Sequence, residues 1–366
     1  MAATTANRPA GRHRIRLSPW AALAFAAAAL ALLPVATIGV TAMADTGTLW
    51  SHVLTNILPQ AAWNTGVLLL GTGIIATCVG TGAAWLVSAY DFRGRGILEW
   101  ALLLPLAVPT YIMAYAYLDV LSPLGPVQGA IRWVLGYSSP RDFRLPDIRA
   151  MWGAIGVFGF VLYPYVYLTT RAMFLTQAAN LVEVSRTLGV GRSGVFWRVV
   201  LPLARPAIAV GVSLVLMEAL NDVGAAQFLG IRTLTASVYT TWIVRTDLAG
   251  ASQIAIAMLV VVIALIVFER WARRNQRFAA SAQRARPMPP RKLVGLSGLG
   301  AFALGFLPIL IGFVGPAIYL VVAALRRIEF AGFSPALVRA TINTISVSAI
   351  ATAVVLVLGF AIFFFF

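Results

Sequence analysis

Cysteine and histidine are nearly absent from this chain of 366 residues, which has one cysteine and two histidines. The lone Cys78 has no second cysteine with which to form an internal disulfide, and we interpret it as a small buried apolar residue. His13 and His52 lie far apart in the sequence, so no histidine-based metal site is predicted. Disulfide-stapled proteins and histidine-based metalloenzymes are therefore excluded.

Charged residues are also scarce. They form 11% of the chain, whereas 60% of the residues are hydrophobic and the mean hydropathy is +0.87. Such values are typical of a polytopic helical membrane protein and exclude a soluble domain. Because a span needs about 20 mainly apolar residues, the sequence predicts an all-α fold with about eight transmembrane helices. The predicted spans are Trp20–Met43, Trp63–Ala89, Ile97–Leu121, Met151–Thr170, Ala207–Gly230, Ile254–Phe268, Leu296–Leu325 and Ile342–Phe366.

The positions of the basic residues predict the orientation of the chain. With residues 1–19 as a cytoplasmic tail, nineteen of the 28 Lys and Arg residues lie in inside segments, as the positive-inside rule requires. The net charge of +16 therefore reflects membrane orientation, and no nucleic-acid partner is expected. The loop Ser122–Ala150 carries four arginines on the predicted outer side, and we expect a re-entrant or interfacial helix there. The first apolar run, of about 24 residues, favours an uncleaved span over a signal peptide.

Two short motifs recur along the chain. Leu33–Val35 and Leu307–Ile309 both place a proline inside a span, and Trp63–Thr65 and Ile342–Thr344 both place Asn-Thr at the start of the next span. The sequence therefore predicts two related units.

The repeat sets the predicted domain boundaries. A first domain of six spans covers residues 20–268 and includes a polar loop at 175–206. A basic cytoplasmic linker covers 269–293, and an incomplete second domain of two spans covers 294–366. Since a terminal carboxylate in hydrocarbon is costly, the ending Phe363–Phe366 leads us to expect a truncated, frameshifted or partial chain.

The polar loop contains the most distinctive pattern, Glu183–Pro202. A helix is predicted to end near Leu188, Gly189 and Gly191 to form a turn, and a second short helix to begin at Ser193. This second helix is expected to display an apolar knob with a basic rim, a suitable docking element. Knob and rim consist of Val195, Phe196, Trp197, Arg192 and Arg198.

The same pattern resembles the EAA loop of permease subunits of bacterial ATP-binding-cassette (ABC) importers. Glu183, Gly189 and the ending Leu201-Pro202 match the family pattern, and Val184 and Ser185 replace its two alanines. The resemblance implies the ABC permease fold, with this loop seated in a groove of a cytoplasmic ATPase dimer. The implied coupling residues are Glu183, Gly189, Gly191, Arg192, Val195, Phe196, Arg198, Leu201 and Pro202.

Further segments are similar to one branch, the ferric-iron importers with two fused permease halves. These segments are Leu102–Leu121, Gly125–Gln128 and Met217–Gly230. The resemblance implies import of ferric iron, delivered by an extracytoplasmic binding protein, across the bacterial inner (plasma) membrane. Permeases for thiamine, polyamines and phosphonates share the architecture and remain alternatives.

Acidic residues in or near predicted spans are candidates for a substrate pathway, because carboxylates there usually face a protein interior or a water-filled path. The candidates are Asp119, Glu218 and Asp222, with Asn221 beside them. Glu218 and Asp222 are four residues apart, which predicts one helix face and a route for a cation. The alternative is that these residues pair with arginines or cap a helix.

The chain has no glycine-rich Walker loop, so we expect it to be a transport subunit without enzyme activity and without a bound cofactor, with ATP on the partner. A proton-coupled secondary transporter is a rival, but such a carrier has no need of a docking loop.

Small and aromatic residues are interpreted structurally. Gly66, Gly71, Gly73, Gly80 and Gly82 predict close helix packing. Interfacial anchoring is predicted for tyrosines 111, 115, 117, 163, 165 and 167.

Overall fold

The computed structural model describes residues 19–44, 51, 53–176, 185, 187, 189, 191–273, 290–332 and 334–365. Regular structure in this part of the chain is almost entirely helical, which confirms the predicted all-α class. The helices are α1 Pro19–Ala42, α2 Leu58–Ala89, α3 Arg95–Ala101, α4 Thr110–Val120, α5 Pro126–Leu135, α6 Met151–Thr176, α7 Arg192–Val195, α8 Leu201–Asn221, α9 Val223–Phe228, α10 Leu234–Tyr239, α11 Leu248–Arg273, α12 Leu296–Ile309, α13 Gly315–Ala331 and α14 Pro335–Phe365.

Short irregular turns join several of these helices. Wider π-helical turns precede α2 at Val53–Ile57, link α7 to α8 at Phe196–Val200, follow α10 at Thr240–Val244 and link α12 to α13 at Leu310–Val314. The two-residue strands β1 Tyr90–Asp91 and β2 Arg291–Lys292 pair in parallel.

The described residues contain six helices that are long and apolar enough to cross a membrane. A seventh span results if the pair Arg95–Ala107 and Thr110–Val120, bent by 92°, is counted as one. The first predicted span coincides with α1, whose part Leu32–Ala42 is apolar but shorter. A multi-pass membrane architecture is therefore confirmed.

Two predicted spans are not continuous helices. The span Ile97–Leu121 breaks before Thr110, because Pro109 has an extended backbone (ψ 139°) and no N–H to continue a helix. The span Ala207–Gly230 breaks at Asp222, which also has an extended backbone (ψ 92°) and caps α9 by accepting a hydrogen bond from the N–H of Ala225 (2.8 Å).

The loop Ser122–Ala150 does contain a helix, α5, as predicted. Gln128 is fully buried and fixes the loop, since its Nε2 donates to the Leu121 carbonyl (2.7 Å) and its Oε1 accepts from the Leu145 N–H (3.1 Å). A side chain at Gly125 would collide with the carbonyls of Asp119 and Val120. The motif Gly125–Gln128 is therefore a structural element that closes this loop.

The chain divides into two compact units. One contains residues 1–40 and 328–366, and its described part holds most of α1 and α14. The other contains residues 41–327, with α2, α6 and α8 packed at its centre.

The larger unit includes α12, which the repeat assigns to a second domain. Gly305 of α12 lies against Leu98 and Leu86, and Phe302 lies against Gly94. The assignment of residues 294–366 to a second permease domain rests on the repeat and stays a prediction.

Glycine allows α2 to approach its neighbours closely. A Cβ at Gly80 would lie 2.8 Å from the Tyr163 carbonyl oxygen, and one at Gly211 of α8 would lie 2.6 Å from the Val166 Cα. Gly71 and Gly73 also face neighbouring side chains, whereas Gly66 and Gly82 face open space. Close packing is thus confirmed for three of the five predicted glycines.

Two predictions about single side chains are wrong. Tyr163 and Tyr167 are fully buried in the core rather than anchored at an interface. The Tyr167 hydroxyl donates to the Glu99 carbonyl oxygen (2.9 Å), which satisfies its polar end inside the protein. Cys78 is exposed on α2, not buried.

The glycine contacts make a prediction about stability. Gly80→Ala should lower the free energy of unfolding by about 1–3 kcal/mol, because the added methyl overpacks against backbone atoms of α6. Gly82→Ala is the matched control, and it should raise helix stability by about 1 kcal/mol because nothing lies near its Cβ. Thermal unfolding of the two purified variants in the same detergent measures the difference. Equal midpoints would contradict the close approach of α2 and α6.

Candidate functional site

The structure describes the polar loop in part. Glu183 and the side chain of Arg192 lie outside the described residues. Gly189 has a backbone φ of +80°, a left-handed conformation that favours glycine, so the predicted turn is present. The Gly191 carbonyl oxygen then accepts a hydrogen bond from the Val195 N–H (2.9 Å), which closes the first turn of α7.

Val195 and Phe196 do not form the displayed knob that the sequence predicted. Val195 is 4% exposed and belongs to the core. Phe196 packs against Trp85 at the end of α2, with ring centroids 4.9 Å apart, and Trp85 in turn contacts Phe174 of α6 edge-on at 5.6 Å. These side chains face inward because an aromatic pocket is available at the ends of α2 and α6.

The exposed part of the loop is correspondingly smaller. Trp197 is 63% exposed and touches Phe196 edge-on at 5.1 Å, and Arg198 is exposed beside it. Leu201 and Pro202 are half-buried at the first turn of α8, where a proline is tolerated because its missing N–H has no helical partner. We name Trp197 and Arg198 the exposed tip. The coupling role of these residues stays a prediction.

An ion-pair network lies near the same ends of α3 and α6. The Glu99 carboxylate accepts from Arg95 Nε (2.9 Å) through Oε1 and from Arg171 Nη2 (2.8 Å) through Oε2. All three side chains are about one-quarter exposed. Arg95 follows the predicted span that ends at Ala89, and Arg171 follows the one that ends at Thr170, so both belong to segments predicted to lie inside; their shared partner is consistent with one side of the membrane.

Three of the four predicted pathway residues line one cavity of about 260 Å³. We name this the acidic cavity; its polar lining consists of Thr110, Tyr111, Tyr165, Glu218, Asn221 and Asp222. The Tyr165 hydroxyl lies 3.4 Å from Glu218 Oε1, a long hydrogen bond. No Lys or Arg is among the described residues that line the cavity. The cavity therefore contains two carboxylates together with hydroxyl and amide oxygens.

The predicted proximity of Glu218 and Asp222 at the end of α8 is confirmed. Glu218 lies on α8, but the helix ends at Asn221, and Asp222 is extended. The Asp222 N–H still donates to the Glu218 carbonyl oxygen (3.1 Å), so the two residues lie one helical turn apart and both line the cavity, and the Asp222 side chain in addition caps α9. The helix-capping alternative therefore holds for Asp222.

Asp119 is not brought to this cavity. It lines a separate cavity of about 240 Å³ with Gln128 and Asp147. Its Oδ2 accepts a hydrogen bond from the Tyr319 hydroxyl (2.8 Å). Among the described residues, no three His, Cys, Asp or Glu side chains are grouped so as to hold a metal ion.

Several residues of these sites are not predicted from the sequence. Tyr165 is predicted as an interfacial anchor but lines the acidic cavity. No local sequence pattern links Trp85 to Phe196 of the polar loop, or Glu99 to Arg171. The signal available was the scarcity of acidic residues, 12 in all, which makes a carboxylate beside two arginines notable.

Curated relatives include permeases for different substrates. The chain is 26% identical over 205 residues to the Fe(3+)-transport system permease protein FbpB 2 of Haemophilus influenzae. This alignment covers 56% of this chain and 36% of that protein. The chain is also 26% identical over 265 residues to a probable molybdenum ABC transporter permease of Haloferax volcanii. This second alignment covers 71% of this chain and 93% of that protein. The match thus spans about a third of the ferric relative.

A solved structure shares the fold. A chain of the bacterial alginate ABC transporter in complex with an alginate pentasaccharide-bound periplasmic protein has a TM-score of 0.55 and 17% sequence identity. The likeness covers 70% of this chain and 94% of that chain. It supports the ABC transporter permease fold.

The family model described as "Binding-protein-dependent transport system inner membrane component" matches residues 76–278, which is more than half of the chain. The matched region runs from the middle of α2 beyond the end of α11 and contains both the polar loop and the acidic cavity. The chain therefore belongs to the family of inner-membrane components of binding-protein-dependent transport systems.

Proposed function

We propose that this chain is the permease subunit of an ATP-driven importer for ferric iron. An extracytoplasmic binding protein delivers the ion, and a cytoplasmic ATPase dimer drives its passage across the inner (plasma) membrane. The N-terminus is cytoplasmic, and ATP binds to the partner, so the chain itself needs no cofactor. Residues 294–366 begin a second permease half in this proposal.

The acidic cavity is the observation that supports ferric iron as the substrate. Ferric iron is a hard cation that prefers oxygen ligands, and the cavity offers carboxylate, tyrosine, threonine and amide oxygens without a cationic side chain. An oxyanion in the same place would meet two carboxylates with no opposing charge, which is electrostatically unfavourable. Two carboxylates in an open cavity suit transient passage, since a path must bind weakly enough to release its ion.

The aromatic contact of Phe196 supports the coupling step. A partner that grips the exposed tip pulls on α7, and Phe196 transmits the displacement to Trp85 of α2 and through it to Phe174 of α6. Because packed side chains transmit displacement rather than absorb it, movement of the loop changes the tilt of the helices that form the core. Glu183 and Gly189 orient the loop in this scheme.

An oxyanion permease is the second candidate. The molybdenum relative aligns over more of this chain than the ferric relative does, and over nearly all of its own length. The thiamine, polyamine and phosphonate alternatives and the proton-coupled carrier have no comparable observation in their favour.

Substitutions in the acidic cavity test the substrate. Glu218→Gln and Asp222→Asn should each reduce uptake of radiolabelled ferric iron by about tenfold or more, because each removes one of the two carboxylates that attract the cation. Uptake is measured in cells that contain the cognate binding protein and ATPase. Asp119→Asn is the matched control, since Asp119 lines another cavity, and it should change uptake little.

Uptake of radiolabelled molybdate by the same cells separates the two candidates. Molybdate uptake that rises when the carboxylates are neutralised, with no iron uptake by the unmodified protein, would reject the ferric assignment.

Substitutions at the loop test the coupling role. Trp197→Ala with Arg198→Ala should abolish co-purification with the ATPase and uncouple ATP hydrolysis from transport, while the permease keeps its thermal stability because both side chains are exposed. Phe196→Ala should instead lower stability by at least the worth of an aromatic pair, about 0.5–1.5 kcal/mol.

The two variants together separate docking from packing. Normal transport by the Trp197/Arg198 variant would show that the exposed tip is not the docking surface, whatever the effect of Phe196→Ala.

A further inference from the structure

A second cavity of opposite charge is lined in part by Ala226 and Gln227 of α9. Its volume is about 360 Å³, and we name it the basic cavity. The side chains that give it its character are Arg232, Arg245, Gln60, Gln227 and Thr241. No Asp or Glu is among the described residues that line it, and it shares no lining residue with the acidic cavity.

The two arginines lack acidic partners within the described part of the chain. The ion pairs found there both involve Glu99 and neither includes Arg232 or Arg245. Asp247 is the nearest carboxylate to Arg245 in sequence, but it does not line the cavity, and its Oδ1 accepts from the Gly250 N–H (2.8 Å). Two guanidinium groups therefore line one cavity without a counter-charge from these residues.

The backbone around Arg232 is held firmly in place. Asn64 Nδ2 donates to the Arg232 carbonyl oxygen (3.1 Å), and the Leu234 N–H donates to Thr65 Oγ1 (2.9 Å). Thr233 caps α10 by accepting from the Ala236 N–H (3.1 Å). The repeated Asn-Thr motif thus fixes this segment on α2, which places Arg232 at the cavity without the ordering cost of a mobile loop.

The neutral groups of the lining complete a donor-rich site. Gln60 and Gln227 carry amide N–H donors, and Thr241 is a buried residue that lines the cavity. Guanidinium forks bind the oxygens of carboxylate, sulfate and phosphate groups in a bidentate manner. The volume lies in the range of small-molecule sites.

We propose that the basic cavity binds a small oxyanion, one with sulfate-, phosphate- or carboxylate-type oxygens. The basic cavity shares no lining residue with the acidic cavity, and the proposal does not depend on the transported ion being ferric iron. The anionic oxygens come either from a free anion or from the headgroup of an anionic lipid.

Sulfate is the probe for a direct test. Sodium sulfate is titrated into the purified full chain in detergent by isothermal calorimetry, with sodium chloride holding the ionic strength constant. Saturable binding is expected, and Arg232→Gln/Arg245→Gln should weaken it at least about tenfold, because charge-assisted hydrogen bonds are lost. Arg141→Gln, an exposed arginine outside the cavity, is the matched control and should bind as the unmodified chain does.

Nanodiscs distinguish the two sources of the anion. Sulfate binding that persists in phosphatidylcholine discs and is suppressed in phosphatidylglycerol discs assigns the site to a lipid headgroup, whereas equal binding in both assigns it to a free anion. The Arg232→Lys/Arg245→Lys variant, which keeps the charge, checks that the site still folds and should retain part of the affinity. Absence of saturable sulfate binding in detergent and in phosphatidylcholine discs overturns the proposal, as does unchanged affinity in the glutamine variant.

Discussion

The close approach of α2 to α6 and α8 is the constraint on which the rest of the structure depends. Gly80 brings the backbone of α2 against Tyr163 and Val166 of α6, and Gly211 brings α8 against Val166 as well. In a membrane the hydrophobic effect does not favour one helix pairing over another, so such van der Waals contacts and small residues set the arrangement. The polar loop and the basic cavity adjoin opposite ends of α2, so their positions depend on this contact.

Helix α2 joins the two ends of the larger unit. Near its C-terminal end Trp85 receives Phe196 of the polar loop, and near its N-terminal end Asn64 and Thr65 hold the segment around Arg232. At 1.5 Å per residue, Thr65 and Trp85 are about 30 Å apart along one rigid element. A displacement at Trp85 therefore has a continuous physical route to the other end of this helix.

Two cavities of opposite charge adjoin the two ends of α9. Asp222 caps its start and lines the acidic cavity, while Gln227, near its end, lines the basic cavity. The helix is only six residues long, so the two cavities are close neighbours of opposite sign. A cation in one and an anion in the other would each lower the electrostatic cost of the other.

The sequence predicted the fold class, the helical runs and the glycine turn of the loop, because hydropathy over about 20 residues and glycine at a left-handed position are local signals. It did not predict which side of α2 packs inward. Gly80 and Gly82 are two residues apart, which places them on opposite sides of a helix that is apolar all round.

The inward position of Phe196 was missed for a related reason. Its partners Trp85 and Phe174 are distant in sequence, and an apolar residue that faces a core has the same chemistry as one that faces a partner protein. The break at Asp222 has no proline or glycine to mark it, and only its capping side chain gives a local signal.

The position of the backbone contact at Gly80 makes α2 a lever with two unequal arms. Trp85 lies five residues from Gly80 and Thr65 lies fifteen, which corresponds to arms of about 7 Å and about 22 Å. A rigid tilt of α2 about Gly80 moves the Asn64–Thr65 end about three times as far as the Trp85 end, and in the opposite direction. A displacement of about 1 Å at the aromatic pocket thus becomes about 3 Å at the end of α2 where Asn64 and Thr65 hold the segment around Arg232, so a small movement at one end of the helix is enlarged about threefold at the other.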